Sequence, residues 1–322
     1  MMLTSSKILD SDNQQDLFSA ENNPNQRIIL SNKDERLLEQ SIRISSEKPS
    51  GEDMAFMHAV LCQVGFPRSK FDGRDFLRRS GDAWVNIQAG VLDEGDGPVY
   101  QPIPYGALPR LAMAWITTFA IRNKTREVPV GDSAAEFLRK LGQNRATGGV
   151  RGSLTMLHRQ IHALAACRLQ LGFKGRTYNG QPIEQFETWL PSRGARGHVQ
   201  RAMWKGVITL SSPFFDEILE HGVPLDNRAI LMLKGSAMAL DEYFWLAHRL
   251  HRIEGKRVFL PWHVVRDQFG QECKGKNSAK DFRTMFVHAL DKVKVVYPNA
   301  LVDVVNCGLS LRRSPPPIPY KS

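Results

Sequence analysis

The sequence predicts an α+β fold: two tandem winged helix-turn-helix domains, preceded by a polar tail and a small helix and hairpin element. Three observations lead there. A helix rich in Arg, Thr and His follows a short strand and a short helix near residue 150. The same order of elements returns about 130 residues later, and positive charge gathers around both copies.

The first copy reads VPV (128–130), DSAAEFLRKLG (132–142), QNRATGGVRG (143–152) and SLTMLHRQIHALAACRLQLGF (153–173). Asp132 or Ser133 can cap the short helix and Gly142 can end it. Gly148, Gly149 and Gly152 keep the approach to the long helix narrow. Within that helix Leu154, Leu157, Ile161 and Leu164 recur at three and four residues and form one apolar face. Helical spacing then puts Arg151, Thr155, Arg159 and His162 roughly opposite, with Arg145 and Thr147 in the preceding turn. A helix with one buried stripe and a cationic, hydrogen-bonding face, braced by a shorter helix, suits a major-groove reader. An ordinary surface helix has the same pattern, so the segment alone does not decide.

On either side lie the other parts of such a domain. LPRLAMAWITTFAIRN (108–123) is an apolar leading helix, with Pro109 tolerated in its first turn. From Gly180 to Leu210 the chain reads as a long ribbon, QPIEQFETWL and MWKGVITL around PSRGARGHVQRA. Its Arg193, Arg196, Arg201 and Lys205 suit phosphate neutralisation, although a solvated basic tip reads the same way. SSPFFDEILEHG (211–222) either extends the strand or starts a helix, and HGVPLD reads as a hinge. Upstream, MAFMHAVLCQVGFPR (54–68) reads as a helix of nearly three turns. AWVNIQAG and PVYQPIPYG read as a hairpin joined by DEGDGP.

The second copy starts with SAMALDEYFWLAHRLHRI (236–253), an apolar-rich helix in which Trp245, like Trp115 in the first, reads as core. KRVFL, WHVVRDQFG, QECKGKN and SAKDFRTMFVHALDKVKVV (278–296) follow. Ser278 and Asp281 have the spacing of a capping box. Phe282, Met285, Phe286, Ala289, Leu290 and Val293 form the expected inner face. Lys280, Thr284, His288 and Asp291 are expected outward beside Arg283, with Lys274 and Lys276 in the turn before. ALVDVVN and LSLRR supply wing strands ahead of the proline-rich SPPPIP. Val128 and Val258 start equivalent strands, and Gly142 and Gly270 end equivalent helices, at separations of 130 and 128 residues. Near-constant offset with the same element order is the signature of a duplicated unit. The expected division is a disordered or partner-ordered tail at 1–50, the extension plus first domain at 51–222, and the second domain at 223–322.

Charge agrees with this division. The 322 residues carry a formal net charge of +10. Between Arg139 and Lys205 there are 12 Lys or Arg against two acids, and from His248 to Lys294 there are 11 against five. Two positive blocks suit a polyanion laid across two surfaces. Cys62, Cys167, Cys273 and Cys307 are scattered without a CxxC pair, which fits neither a disulfide framework nor a zinc ribbon. The start has no basic segment leading into an apolar run, and no stretch is long and uncharged enough to span a membrane. The expected location is therefore the cytosol, with no membrane partner.

No catalytic set, metal site or cofactor motif is expected. His158 and His162 lie one helical turn apart, but without an HExxH acid or a cysteine pair. His248 and His251 lack the histidine–apolar–histidine core of a nicking site, and Tyr297 with Arg249, Arg252 and His248 has no recombinase domain around it. There is no GxxxxGK[ST] loop, so any strand opening draws on binding energy rather than ATP.

Five segments, FMHAVLCQVGFPR, AWVNIQAG, PIPYGALPRLAMAWI, VPVGDSAAEFLRKLG and TGGVRGSLTMLHRQ, together resemble the RepA-type plasmid replication initiators over roughly residues 50–310. The resemblance implies a protein that binds repeated double-stranded sites at a plasmid origin, promotes opening and helps recruit the host initiator protein and replicative helicase. More distant initiators of similar architecture switch between dimers and monomers, the dimer restraining copy number, and self-association as a dimer is carried over from them as an expectation. Thr147, Gly148, Gly149, Arg151 and Gly152 match the family pattern at the approach to the first reading helix. Two alternatives use the same sequence features: a winged-helix repressor on an operator, and a non-DNA scaffold whose basic faces hold acidic proteins.

Overall fold

The structure, a computed structural model, describes residues 39 and 41–319 except 95–96, 187–190, 194–198, 202–205 and 274; for 191–193 and 199–201 it describes the backbone alone. The expected tail thus lies outside the described residues up to position 38. Its last part belongs to the folded unit: residues 41–46 are helical, Ile44 packs against the core, and Arg228 Nη1 donates to Glu47 O at 3.3 Å.

The chain after residue 53 starts as a strand, not as the expected long helix. In β1 (Met54–His58) Ala55 and Met57 are buried in alternation, and Phe56 N donates to Thr118 Oγ1 at 2.8 Å. MAFMHAV is apolar nearly throughout, so its periodicity fits either element, and pairing decides. His58 then caps the five-residue helix α1 (Ala59–Gln63), its Nδ1 accepting from Val60 N at 3.2 Å. β2 (Asp75–Ser80) and β3 (Ala83–Gln88) pair antiparallel. The expected hairpin is placed differently: β4 (Val91–Asp93) pairs with β5 (Pro98–Tyr100) around the turn-rich segment, while β3 is elsewhere.

The first repeat follows. α2 (Ala107–Asn123) leads into β6 (Glu127–Pro129), α3 (Ala134–Lys140) and α4 (Ser153–Ala166). Ser133 caps α3, its Oγ accepting from Glu136 N at 3.2 Å. α4 stops at Ala166, short of the helical pattern that the sequence carries to Phe173. Arg168–Phe173 is β7, with Leu169 and Leu171 inward and Arg168 outward. An alternation of two wins there because β3 offers a ladder, and Trp84 opposite Gly172 fills the space a Cβ would need. β8 (Arg176–Gly180) completes a four-stranded sheet in the order β2-β3-β7-β8. β9 (Ile183–Phe186), β10 (Pro191–Arg193), β11 (Val199–Arg201) and β12 (Val207–Leu210) form the expected ribbon: β10 pairs with β11, and β12 pairs with both β9 and β6.

Residues 212–221 are helix α5 (Ser212–His221), capped by Ser211. The expected hinge is β13 (Gly222–Asp226), which pairs with β1 along all five residues. The anticipated division at 222/223 therefore falls inside a paired strand. After α6 (Asn227–Leu233) comes the second repeat: α7 (Ala237–Arg249), β14 (Val258–Pro261), α8 (Trp262–Phe269), α9 (Ser278–Val296), β15 (Val302–Val305) and β16 (Gly308–Leu311). Its sheet has the order β14-β16-β15, and the first repeat has β6-β12-β9. In both, the last strand is central and antiparallel to its neighbours. The result is an α+β fold of winged-helix-like layout. The proline-rich end packs down: Tyr297 Oη donates to Pro315 O at 2.6 Å, and Ile318 is buried.

The two leading helices meet over a buried ion pair. Arg110 of α2 bonds Asp241 of α7 through Nε to Oδ1 at 2.6 Å and Nη2 to Oδ2 at 2.7 Å. Its remaining donors reach Phe66 O, Pro67 O and Gly106 O. Glu272, in the turn before α9, receives Arg78 at 2.5 Å and the guanidinium of Arg68. Burial pushes the Glu272 carboxyl up, but Arg78 and Arg68 together hold it below the usual range. Trp245 is buried, while Trp115 is half-buried against Phe119 and Phe137.

Breaking a hydrogen-bonded buried pair leaves one charge stranded, so Asp241→Ala should lower unfolding free energy by about 3–5 kcal/mol in urea titration. Glu242 next to it is fully buried, with neither carboxyl oxygen partnered among the described residues. Burial first, and the adjacent Asp241 second, push its pKa well above the usual 4.5. Folding therefore takes up a proton at this site. Its contribution is intact below the ordinary glutamate range and is lost as pH rises toward the elevated folded value. Glu242→Gln should accordingly raise Tm more at about pH 8 than at about pH 5; an equal rise at both would contradict a protonated Glu242.

Candidate nucleic-acid interface

The loop 145–153 folds over the start of α4 through its own side chains. Ser153 N donates to Thr147 Oγ1 and Thr147 N donates to Ser153 Oγ, both at 2.9 Å, while Ser153 Oγ also reaches Arg145 O at 3.1 Å. Thr155 Oγ1 donates to Gly149 O at 2.8 Å. Thr147 and Thr155, both candidate contacts from the sequence, thus hold the loop shape. Gly149 has φ +87°, a region favouring glycine, and a Cβ on Gly152 would stand 2.3 Å from Gly148 O. The loop turns Arg145, Val150 and Arg151 outward, with Val150 82% exposed at the tip.

α4 buries the stripe read from sequence: Leu157, Ile161 and Leu164 are inside and Leu154 packs against them. Its free face covers only the first half. Arg159 is exposed and Thr155 partly so. His162 does not join them: it is 6% exposed, with Nδ1 3.0 Å from Glu94 Oε1 and its ring edge-on to Phe186. The added β4–β5 hairpin and β9 cover this part of the helix, which residue spacing along α4 could not reveal. Burial first, and His162 second, lower the His158 pKa. An N-terminal half left free is the part of a recognition helix that reaches base edges.

In the second repeat Lys276, Lys280, Arg283, Thr284 and His288 are all exposed along the turn and α9. Arg283 lies over the Trp262 ring at 5.1 Å, and Thr284 Oγ1 donates to Lys280 O at 3.1 Å. Two expectations on α9 fail. Ser278 is no N-cap: it is buried and accepts from Arg266 Nη2 at 2.7 Å, and Asn277 takes the cap position without a side-chain bond. Met285 is 46% exposed rather than internal, because Phe282, Phe286 and Leu290 already complete the stripe against α7 and α8. Lys274, Arg196 and Lys205 lie outside the described residues, and Arg193 and Arg201 are described by backbone only, in the paired strands β10 and β11.

Near α4 the structure adds cationic and aromatic groups that the sequence did not single out. Lys70 is exposed, and Tyr100, 73% exposed, carries the Arg74 guanidinium 4.4 Å from its ring centre. Short irregular segments of this kind have no periodicity to flag them.

The profile of the family described as plasmid encoded RepA protein matches residues 103–263, half of the chain, from before α2 to the start of α8. The chain belongs to the plasmid-encoded RepA protein family. Members are DNA-binding initiators of plasmid replication without catalysis of their own, and at that level this RepA-family chain is placed with them. Comparison with curated proteins gives no match, and comparison with solved structures gives none. Among the described residues no cluster of three or more His, Cys, Asp or Glu is arranged to hold a metal, and no helix is long and apolar enough to cross a membrane.

His248 of the RepA-family chain is pushed down to about 3 by burial and then by Arg252, which suits a packed ring rather than a catalytic one. Gly152→Ala must displace the backbone of Thr147 and Gly148 and should cost about 1–3 kcal/mol by thermal unfolding, with weakened DNA retention in gel shifts. Gly148→Ala, with nothing within 4 Å of the added Cβ, should match the wild type in both measurements.

Proposed function

We propose that this RepA-family chain is a sequence-specific double-stranded DNA-binding replication initiator built from two tandem winged-helix domains. Each domain sets one long helix, α4 or α9, in a major groove. The first ribbon, carrying Arg193, Arg196, Arg201 and Lys205, lies along the phosphates. The observation that carries this reading is the repeated sheet order, each copy placing an Arg-bearing helix beside its wing. On this reading Arg145, Arg151 and Arg159 serve the first half-site, and Lys274, Lys276, Lys280, Arg283 and His288 the second.

Binding to repeated origin sites then supplies the energy for opening, since several copies packed along DNA can offset a deformation cost of several kcal/mol. The host initiator protein and the replicative helicase are the partners that follow, and dimerisation is the proposed restraint on copy number. A transcriptional repressor is the second reading. Footprints over evenly spaced direct repeats beside an A·T-rich tract favour initiation; a single palindrome at a promoter favours repression.

The test is a gel-shift series on the footprinted site and a scrambled duplex. Arg151→Ala and Arg159→Ala should each weaken binding to the footprinted site by about 1–3 kcal/mol and narrow the gap to the scrambled duplex. Lys280→Ala should weaken both duplexes alike and flatten the salt dependence by about one unit of log–log slope. Unchanged affinity in both arginine variants removes α4 as the reader.

A further inference from the structure

Between α4 and the β4–β5 hairpin lies a cavity of about 590 Å³ that shares Arg159 with the duplex-reading face. Its lining includes Lys70, Glu94, Tyr100, Tyr105, Arg159 and His162. The buried wall holds a polar atom without a partner. His162 Nδ1 faces Glu94 Oε1 at 3.0 Å, and Gln101 Nε2 donates to the same oxygen at 2.8 Å. In the tautomer that donates Nδ1–H to the carboxylate, Nε2 is an acceptor. That nitrogen is enclosed in the wall and has no hydrogen-bond partner among the described residues, so a donor in the cavity reaches it only when the His162 ring turns toward the cavity. A buried acceptor left empty costs free energy, so a donor arriving there gains more than it would at a surface.

The mouth has a different character. Tyr100 is largely exposed, an arrangement that contributes little to folding, and the Arg74 guanidinium lies over one face of its ring, so a base stacks only on the other. Lys70 and Arg159 put two exposed cations on the same rim. A flat aromatic, a recessed acceptor and rim cations match the three parts of a nucleotide: the base face, its amino or imino edge and its phosphate. The volume is that of a small-molecule site.

We propose that this cavity binds one unpaired, phosphorylated nucleobase, stacked on Tyr100 with an N–H directed at His162 Nε2 and the phosphate held by Lys70 and Arg159. Two sources share that chemistry, a base extruded from the strand next to the reading helix and a free nucleotide. The first rests on the initiator reading above and deepens it; the second does not need it.

Full-length protein is titrated into a short single-stranded oligonucleotide carrying one 2-aminopurine, into the same oligonucleotide with an abasic position there, and into 2-aminopurine riboside monophosphate. Quenching by the oligonucleotide, about tenfold weaker binding in Tyr100→Ala, retention in Tyr100→Phe and loss with the abasic strand support the strand source. Quenching of the monophosphate at the oligonucleotide's affinity supports the free nucleotide. Equal affinity for the abasic strand, or an unchanged Tyr100→Ala, overturns the proposal. His162→Gln is the companion variant, expected to weaken base binding while salt-dependent duplex retention persists. Duplex retention with no response to either fluorescent probe sinks the pocket alone; failure on duplex and on probes sinks the initiator reading with it.

Discussion

A guanidinium and a carboxylate removed from water between α2 and α7 fix how the two repeats lie against each other. Arg110 spends every donor it has, two on Asp241 and the rest on backbone oxygens of residues 66, 67 and 106. Such a pair gains its Coulomb energy only if every donor is met, so it tolerates one arrangement of the surrounding chain. Glu272 extends the constraint: with Arg68 and Arg78 it ties the turn before α9 to β2 and to the segment that leads into it. The orientation of the second candidate reading helix thus depends on residues more than 190 positions earlier, which Arg78 and Glu272 bring together.

Much of this was legible in the sequence because the two repeats keep the same punctuation. Apolar leading helices, a short helix with a glycine stop and a basic helix each carry local signals, with a cap at Ser133 in the first repeat alone, and those predicted elements correspond to α2, α3, α4, α7, α8 and α9. The misreadings share a cause. At 54–58 the chain is apolar enough to suit either period, at 168–173 the helical spacing of α4 runs straight into an alternation of two, and in both the choice rests on strands contributed from far away. His162 and Met285 went the wrong way because helical spacing names a face without saying what covers it. The β4–β5 hairpin covers one, and nothing in the described residues covers the other.

The candidate site has a division of labour that residue type alone would not suggest. Thr147 and Thr155, read from the sequence as DNA contacts, join Ser153 in satisfying backbone groups and shaping the loop. Arg145, Arg151 and Arg159 are left facing outward. The long side chains carry charge into the surroundings while short hydroxyls near the helix start replace the missing N-cap side chain at Gly152. Glu94 is held below the usual range chiefly by its bond from His162, so the carboxylate is an integral part of the wall behind the helix.

The pairing of β1 with β13 has a consequence for how the chain can be divided. Met54 meets Asp226 and His58 meets Gly222, so the opening strand of the folded part acquires its ladder only after the whole first repeat has been made. A fragment stopping at 222 or beginning at 223 would expose an unsatisfied row of amides and carbonyls on each piece, an edge open to self-association. The second repeat, for all its likeness to a free-standing unit, is therefore grafted onto the beginning of the chain, and a soluble half-molecule has to carry residues 54–58 along with it.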